Sequence, residues 1–144
     1  CAEATKTYPD SVYKLLGSKQ VGKASLTGIR VLNQIRSGHK TRVSFWPLEE
    51  IHSSVIVEIY PTLFRKSATG STGKLRSLSG LNTALAHFES NPLSRRGLTE
   101  FSDHETDALL SVAGLRRFAA LPSMWIVDDA RRPLARREGW IFGV

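Results

Sequence analysis

The chain has 144 residues, of which 41% are hydrophobic and 23% are charged, and it contains no apolar run near the roughly 18 residues of a membrane span. This composition is globular, so we expect one domain over residues 1–144 with a packed core and no membrane partner. The formal net charge of +7 and the pI near 10.0 favour a polyanionic partner such as nucleic acid, although a basic protein without one explains the charge equally well.

The chain opens with Cys1, its one cysteine. A single cysteine excludes an internal disulfide and a cysteine-based zinc site, and it is typical of a reducing compartment, so we expect a cytoplasmic protein. Because Cys1 stands where an initiator Met is usual, we interpret the chain as a fragment or a processed product. An N-terminal cysteine that acts as a nucleophile or carries a lipid is the alternative.

Hydrophobic spacing and chain breakers predict a mixture of helices and strands. Helices are predicted over 8–17, 25–38, 61–68, 78–92 and 102–121. Strands are predicted over 41–47, 53–61 and 139–144, and the charged segment 128–138 is predicted to be a loop or turn. This mixture predicts an α/β fold in which helices flank a mixed sheet.

Residues 67–77 are rich in Gly, Ser and Thr, and they are predicted to form a flexible basic linker. Their sequence has a superficial likeness to a phosphate-binding loop, whose full motif requires Ser or Thr directly after its Gly-Lys pair. Here Leu75 follows Lys74, so no nucleotide site is predicted.

The longest helical pattern begins with the acidic segment SDHETDAL at residues 102–109. Ser102 and Glu105 have the capping-box pattern, and acidic residues in a first turn complement the helix macrodipole. These effects explain Asp103 and Glu105, but not Asp107, which lies beyond the first turn on the same face as His104. The stripe beside that face is apolar and is predicted to lie in the core: Ala108, Val112, Leu115 and Ala119.

Gly114 interrupts this helical pattern. Because glycine inside a helix costs about 1 kcal/mol relative to alanine, its presence predicts the close approach of another backbone.

Glu58 interrupts the run VIVEIYP, whose β-branched residues predict that its carboxylate is buried. A buried carboxylate is costly unless it pairs with a cation or binds a metal. If this strand end lies beside the start of the 102–121 helix, Glu58 faces Asp107. Mg²⁺ and Mn²⁺ prefer such oxygen ligands, and carboxylates around these ions support phosphodiester cleavage. A buried salt bridge from Glu58 to an arginine is the competing interpretation.

Several segments, in order, resemble a family of predicted RNase H-like, RuvC-like nucleases. HETDAL at the start of a helix is similar to the last acidic motif of RuvC-like resolvases, and VIVEIYP is similar to the strand that carries the second acidic ligand of the superfamily. The resemblance extends over 9–144 through these segments: PDSVYKLLGSKQVGKASLTGIRVLNQIR, VIVEIYPTLF, HETDALLSVAGLRRF and EGWIFGV.

This resemblance implies an RNase H-like fold and a nuclease that uses Mg²⁺ or Mn²⁺ to hydrolyse the phosphodiester bonds of DNA or RNA. It implies that Glu58 and Asp107 are metal ligands and catalytic residues. Asp103 would be a further metal ligand, and His104 would be a ligand or an acid/base group in catalysis.

The resemblance also implies that Lys19 and Lys23 contact the phosphates of nucleic acid. RNase H-like proteins place their first catalytic Asp on an opening strand, and the polar segment CAEATKTY does not match such a strand. We therefore expect this chain to be the C-terminal part of a larger domain. Its open sheet edge would then pair with the missing N-terminal part or with a second copy of the chain.

Two functions without catalysis remain open. In a non-catalytic binding module, the basic surface that includes RRPLARR, Arg95 and Arg96 would hold nucleic acid through its phosphates. A structural or interaction domain that keeps the fold without the activity is the other alternative, because a fold does not determine function.

Overall fold

The computed structural model describes residues 6, 14–17, 21–38, 43–94 and 100–143. These residues contain helices and one two-stranded parallel sheet, which agrees with the predicted α/β class. The elements in chain order are α1 (Val21–Gly38), β1 (Val43–Phe45), β2 (Ser54–Ile56), α2 (Pro61–Thr69), α3 (Leu78–His87), α4 (Asp103–Ala119), a 3₁₀ helix (Pro122–Trp125) and α5 (Arg132–Glu138). The helix predicted over 8–17 lies largely outside the described residues.

The chain divides into two compact units. The first comprises Cys1–Val57 and Arg131–Trp140, and the second comprises Glu58–Ala130 and Ile141–Val144. Among the helices of the described part, none combines the length and the apolar character that a membrane crossing requires.

The first unit contains the sheet, in which β1 and β2 pair in parallel. Val43 lies opposite Ser54, and Phe45 lies opposite Ile56. The strand β1 ends at a turn in which the backbone N–H of Phe45 donates to Glu49 Oε2 at 3.1 Å, and Arg36 pairs with the other oxygen of Glu49 at 2.7 Å. Two of the three predicted strands, those over 41–47 and 53–61, are therefore present, and each is shorter than its sequence pattern. The third, predicted over 139–144, is reduced within the described residues to an isolated bridge at Ile141.

Two helices of the first unit differ from their predicted form. The helix α1 begins at Val21 and not at residue 25 as predicted, so Lys23 lies in its first turn. The segment predicted as a charged loop over 128–138 contains the helix α5. Pro133 is tolerated in its first turn, and Arg136 and Arg137 in the last turn complement the helix dipole.

The second unit packs α2, α3 and α4 around an aromatic core. Phe64 of α2 is fully buried, and its ring contacts the rings of Phe88 and Phe118. A Cβ atom added at Gly114 of α4 would overlap the ring of Phe64. The predicted close approach at Gly114 is therefore present, but the neighbour is an aromatic side chain and not a backbone.

The buried face of α4 differs from the predicted apolar stripe. Val112 of that stripe is 69% exposed, whereas Thr106, Leu110 and Ala113 are buried. The helix packs on α2 and α3 through its face with Gly114, which allows the bulky Phe64 to approach. Gly114 therefore lies on the covered face of α4, where the ring of Phe64 fits against it.

Candidate functional site

The helix α4 begins at a complete capping box. Ser102 Oγ accepts the backbone N–H of Glu105 at 3.3 Å, and Glu105 Oε2 accepts the backbone N–H of Ser102 at 2.9 Å. This confirms the predicted capping role of both residues. Two carboxylates of the acidic segment, Asp103 and Asp107, are not used by the cap, and they lie one helical turn apart.

All four carboxylate oxygens of Asp103 and Asp107 lie close to basic side chains, and the Oδ1 and Oδ2 atoms have different partners. The Oδ1 atoms are each held by an arginine: Arg65 Nη1 contacts Asp107, and Arg76 Nε contacts Asp103 at 3.2 Å. The Oδ2 atoms share one cation, since Lys74 Nζ lies 3.2 Å from Asp107 Oδ2 and 3.8 Å from Asp103 Oδ2. Two oxygens on one helix face therefore converge on a single positive charge.

Arg65 is the fixed member of this cluster. Its side chain is only 2% exposed, and its Nη2 donates to Thr62 Oγ1 at 3.1 Å. A buried guanidinium is stable only when it is paired, and Asp107 supplies the negative charge. Asp107 itself is 23% exposed, at the border of the buried face as its spacing predicted. Its carboxylate therefore has a structural role whatever else it does.

The pKa of Asp103 lies below the ordinary aspartate value of 3.8. The largest cause is the hydrogen bond from Arg76, and the positive charges of Arg76, Lys74 and Arg65 lower the pKa further against the opposing effect of desolvation. Asp103 is therefore ionised at neutral pH and presents a full negative charge to the shared cation.

Glu58 differs from its predicted environment. The carboxylate of Glu58 was expected to be buried within a strand. The strand β2 ends at Ile56, before Glu58, and Glu58 is exposed. Its backbone carbonyl accepts the N–H of Phe142 at 2.8 Å, as part of a parallel bridge to Ile141. The cations on Asp107 are Arg65 and Lys74. Neither forms an ion pair with Glu58 in the described part of the chain, so Glu58 and Asp107 do not share a cation.

A pocket nevertheless brings the chain just after Glu58 beside the face of Asp107. It has a volume of about 330 Å³, and its lining includes Ile59 and Pro61 together with Asp107 and Ser111 of α4. Ser111 is 4% exposed, and its Oγ has no hydrogen-bond partner within the described part of the chain. Residues just after Glu58 therefore lie beside α4, and Glu58 itself is not among the residues that line the pocket.

The remaining predicted site residues are either exposed or outside the described part of the chain. His104 is exposed in the first turn of α4, and Lys23 is exposed on α1 in the other unit. Lys19 lies outside the described residues, as do Arg95 and Arg96. Over the described ranges, no group of three or more His, Cys, Asp or Glu side chains is arranged to hold a metal ion.

Sequence reasoning did not find the three basic partners, Arg65, Lys74 and Arg76. Asp107 is separated from Arg65 by 42 positions and from Lys74 by 33, so no local pattern links them. The sequence offered one indication of these basic partners, which was Lys74, a lysine in a glycine-containing loop of a basic chain.

Comparison with known proteins gives no relative: no protein-family model, no curated protein and no solved structure matches the chain. The class is therefore stated from the structure alone, as an α/β protein with an acidic pair on α4 held by basic side chains.

Proposed function

We propose that the chain is part of an RNase H-like nuclease that hydrolyses phosphodiester bonds of DNA or RNA with Mg²⁺ or Mn²⁺. The observation that supports this best is the convergence of Asp103 Oδ2 and Asp107 Oδ2 on one cation. A nucleic-acid partner agrees with the net charge of +7. We also propose that the protein is cytoplasmic.

The donor set fits a magnesium-type ion. Mg²⁺ usually keeps several waters and is held by one or two carboxylates together with substrate phosphates, so a cage of three protein ligands is not required. Asp103 and Asp107 would supply the carboxylates. Glu58 stays a proposed third ligand, which is exposed and adjoins Ile59 at the edge of the pocket beside Asp107.

When bound, the ion supplies Lewis-acid stabilisation of charge on the phosphate and a more acidic water. The chain contributes orientation, because Arg65 fixes Asp107 through Oδ1 and Arg76 fixes Asp103 in the same way. His104, next to Asp103 and exposed, is the proposed group that takes or gives a proton during hydrolysis.

The decisive experiment titrates Mn²⁺ into the protein by calorimetry and electron paramagnetic resonance. Asp107→Asn is the informative variant, since its amide oxygen still accepts from Arg65 while the negative charge is lost. We expect Mn²⁺ binding by the parent chain, a large loss in Asp107→Asn and a smaller loss in Glu58→Ala. Glu50→Ala, an exposed glutamate of the first unit, is the matched control. Equal Mn²⁺ affinity in the parent and Asp107→Asn would refute the metal site.

The second candidate function is non-catalytic nucleic-acid binding. The observation in its favour is that Arg132, Arg136 and Arg137 of α5 are all exposed. Binding through these phosphate contacts would weaken steeply with salt and would not depend on Mg²⁺. Fluorescence anisotropy with a labelled oligonucleotide, with and without Mg²⁺, separates this function from the nuclease.

We further propose that additional strands complete the sheet of the first unit, from a longer form of the polypeptide or from a second copy of the chain. Within the described residues the sheet has two parallel strands, and parallel sheets are usually larger and covered on both faces. Light scattering across a concentration series tests for the second copy.

A further inference from the structure

We propose that α4 is a docking surface for a second copy of this chain, and that the two α4 helices pair in antiparallel orientation. The surface is the apolar stripe of Ala108, Val112, Leu115 and Ala119, which we call the α4 stripe. Its spacing predicted a place in the core, yet its middle is uncovered. The proposal concerns assembly, and it does not depend on the proposed metal site.

The first support is the exposure and spacing of the α4 stripe. Val112 is 69% exposed and Ala108 is exposed, while Leu115 and Ala119 are half-buried. The four positions follow one another at intervals of about three and a half residues, which is the spacing of a seam between two paired helices. A single exposed valine is common on protein surfaces, but an exposed valine in the middle of such a seam indicates a partner helix.

The second support is the shape of the surface around Val112. Besides the pocket of about 330 Å³ described above, a second pocket of about 310 Å³ lies against α4, and its lining includes Leu85, Leu93 and Leu109. Ala108 and Val112 line both pockets. The surface therefore has an apolar projection at Val112 between two hollows, with room beside the small side chain of Ala108. Such a surface fits a copy of itself, because a two-fold interface uses the same patch on both chains.

The third support is the distribution of charge along α4. Its first turn is acidic, with Asp103 and Glu105, and its last turn is basic, with Arg116 and Arg117. Antiparallel pairing brings the acidic end of each helix beside the basic end of the other, whereas parallel pairing brings like charges together. The charges therefore select a second copy of α4 in the antiparallel orientation.

One register satisfies both the shape and the charges. With the two-fold axis level with Leu110, Val112 meets Ala108 of the second copy, and Glu105 lies near Arg116 of the second copy. The exposed Arg116 also lines the second pocket. Within its own chain its Nη2 atom donates to two backbone carbonyls and a serine hydroxyl, which are all neutral acceptors. Its positive charge therefore remains to attract a carboxylate of the second copy.

Sedimentation velocity of the full chain across a concentration series tests the assembly. An interface built on one pair of helices is at the small end of the stable range, so we expect a dissociation constant on the order of 10 µM. Thermal unfolding of each variant is measured in parallel, so that a loss of pairing is not confused with a loss of fold.

Two variants disrupt the proposed contact in different ways. Val112→Glu carries a charge into the hollow of the second copy, and Ala108→Leu fills the place where Val112 of the second copy sits. Both positions are exposed, so the fold should be kept. Ile126→Glu is the matched control, since Ile126 is β-branched, is 68% exposed and lies outside α4. We expect the dissociation constant to rise about tenfold or more in Val112→Glu and Ala108→Leu, and to stay unchanged in Ile126→Glu.

A spin label tests the orientation. It is attached at Ala120→Cys, the exposed C-cap of α4, in a Cys1→Ser background that leaves one thiol in each chain. The antiparallel register places the two labels about 30 Å apart, whereas parallel helices place them about 10 Å apart. Electron paramagnetic resonance distinguishes these two separations.

Three results would overturn the proposal. The first is a parent chain that stays monomeric through the whole concentration series. The second is a dimer that persists unchanged in Val112→Glu, because its interface then lies elsewhere, for example at the sheet of the first unit. The third is a label separation of about 10 Å, which contradicts antiparallel pairing.

Discussion

Arg65 and Asp107 form an ion pair across the second unit, with the guanidinium almost fully buried and the carboxylate at the protein surface. The pair ties α2 to α4 next to the aromatic core. Replacement of Asp107 therefore affects the buried guanidinium as well as the proposed ion site.

Asp107→Ala leaves the guanidinium of Arg65 buried without its carboxylate. We expect the free energy of unfolding to fall by about 2 to 3 kcal/mol, measured by urea denaturation. Lys74→Met, which removes the exposed partner of the same carboxylate, should change this free energy by no more than about 1 kcal/mol. Similar losses in both variants would contradict the assignment of Arg65 as the structural partner.

Gly114→Ala forces a methyl group against the buried ring of Phe64. We expect a loss of about 1 to 3 kcal/mol in the free energy of unfolding, because the core has to shift to make room. Gly28→Ala in α1 is the matched control, since a Cβ atom there meets nothing within 4 Å. That change should stabilise the protein by about 0.5 to 1 kcal/mol through helix propensity. A stabilising Gly114→Ala would disprove the packing.

Ser102→Ala removes the side-chain acceptor of the α4 cap. The expected cost is about 1 kcal/mol, measured as a lower midpoint of urea denaturation. Ser77→Ala serves as a comparison, because Ser77 Oγ caps α3 by accepting from Gly80 at 3.2 Å and should show a similar loss. An unchanged midpoint in Ser102→Ala would mean that the capping box does not contribute to stability.

Arg76→Met removes the main cause of the lowered pKa of Asp103. A carboxyl group whose pKa is lower in the folded state stabilises the fold above its unfolded pKa, and this contribution is lost as the pH falls through the folded pKa. Stability should therefore decline below a pH of about 4 in the parent chain, and Asp103 should contribute less to that decline in Arg76→Met. Carbon-detected NMR titration of the Asp103 carboxyl checks the upward pKa shift directly, and an unchanged pKa would contradict it.

Local features of α4 were predictable from the sequence. The capping box of Ser102 and Glu105 depends on residues three apart, and the position of Asp107 at the border of the buried face follows from helical periodicity. The class of fold was predictable for the same reason, since helices and strands are recognised from short segments.

Features that depend on distant residues were not predictable. The burial of Val112 was predicted wrongly because an amphipathic pattern does not determine which face its neighbours cover, and here Phe64 packs at Gly114. The expected burial of Glu58 was wrong because β2 ends earlier than its β-branched pattern. The basic partners of Asp107 were missed because they come from α2 and from the loop before α3.

If the proposed ion binds, the arginine contacts on the Oδ1 atoms of Asp103 and Asp107 would bear on its selectivity. With Arg65 and Arg76 on the Oδ1 atoms, the Oδ2 atom of each carboxylate would be the more accessible ligand, which favours binding through a single oxygen. Calcium sites commonly use such two-oxygen binding and need many ligands, whereas magnesium accepts single oxygens and fills its octahedron with water. The two arginines would thus make this acidic pair discriminate against the larger ion.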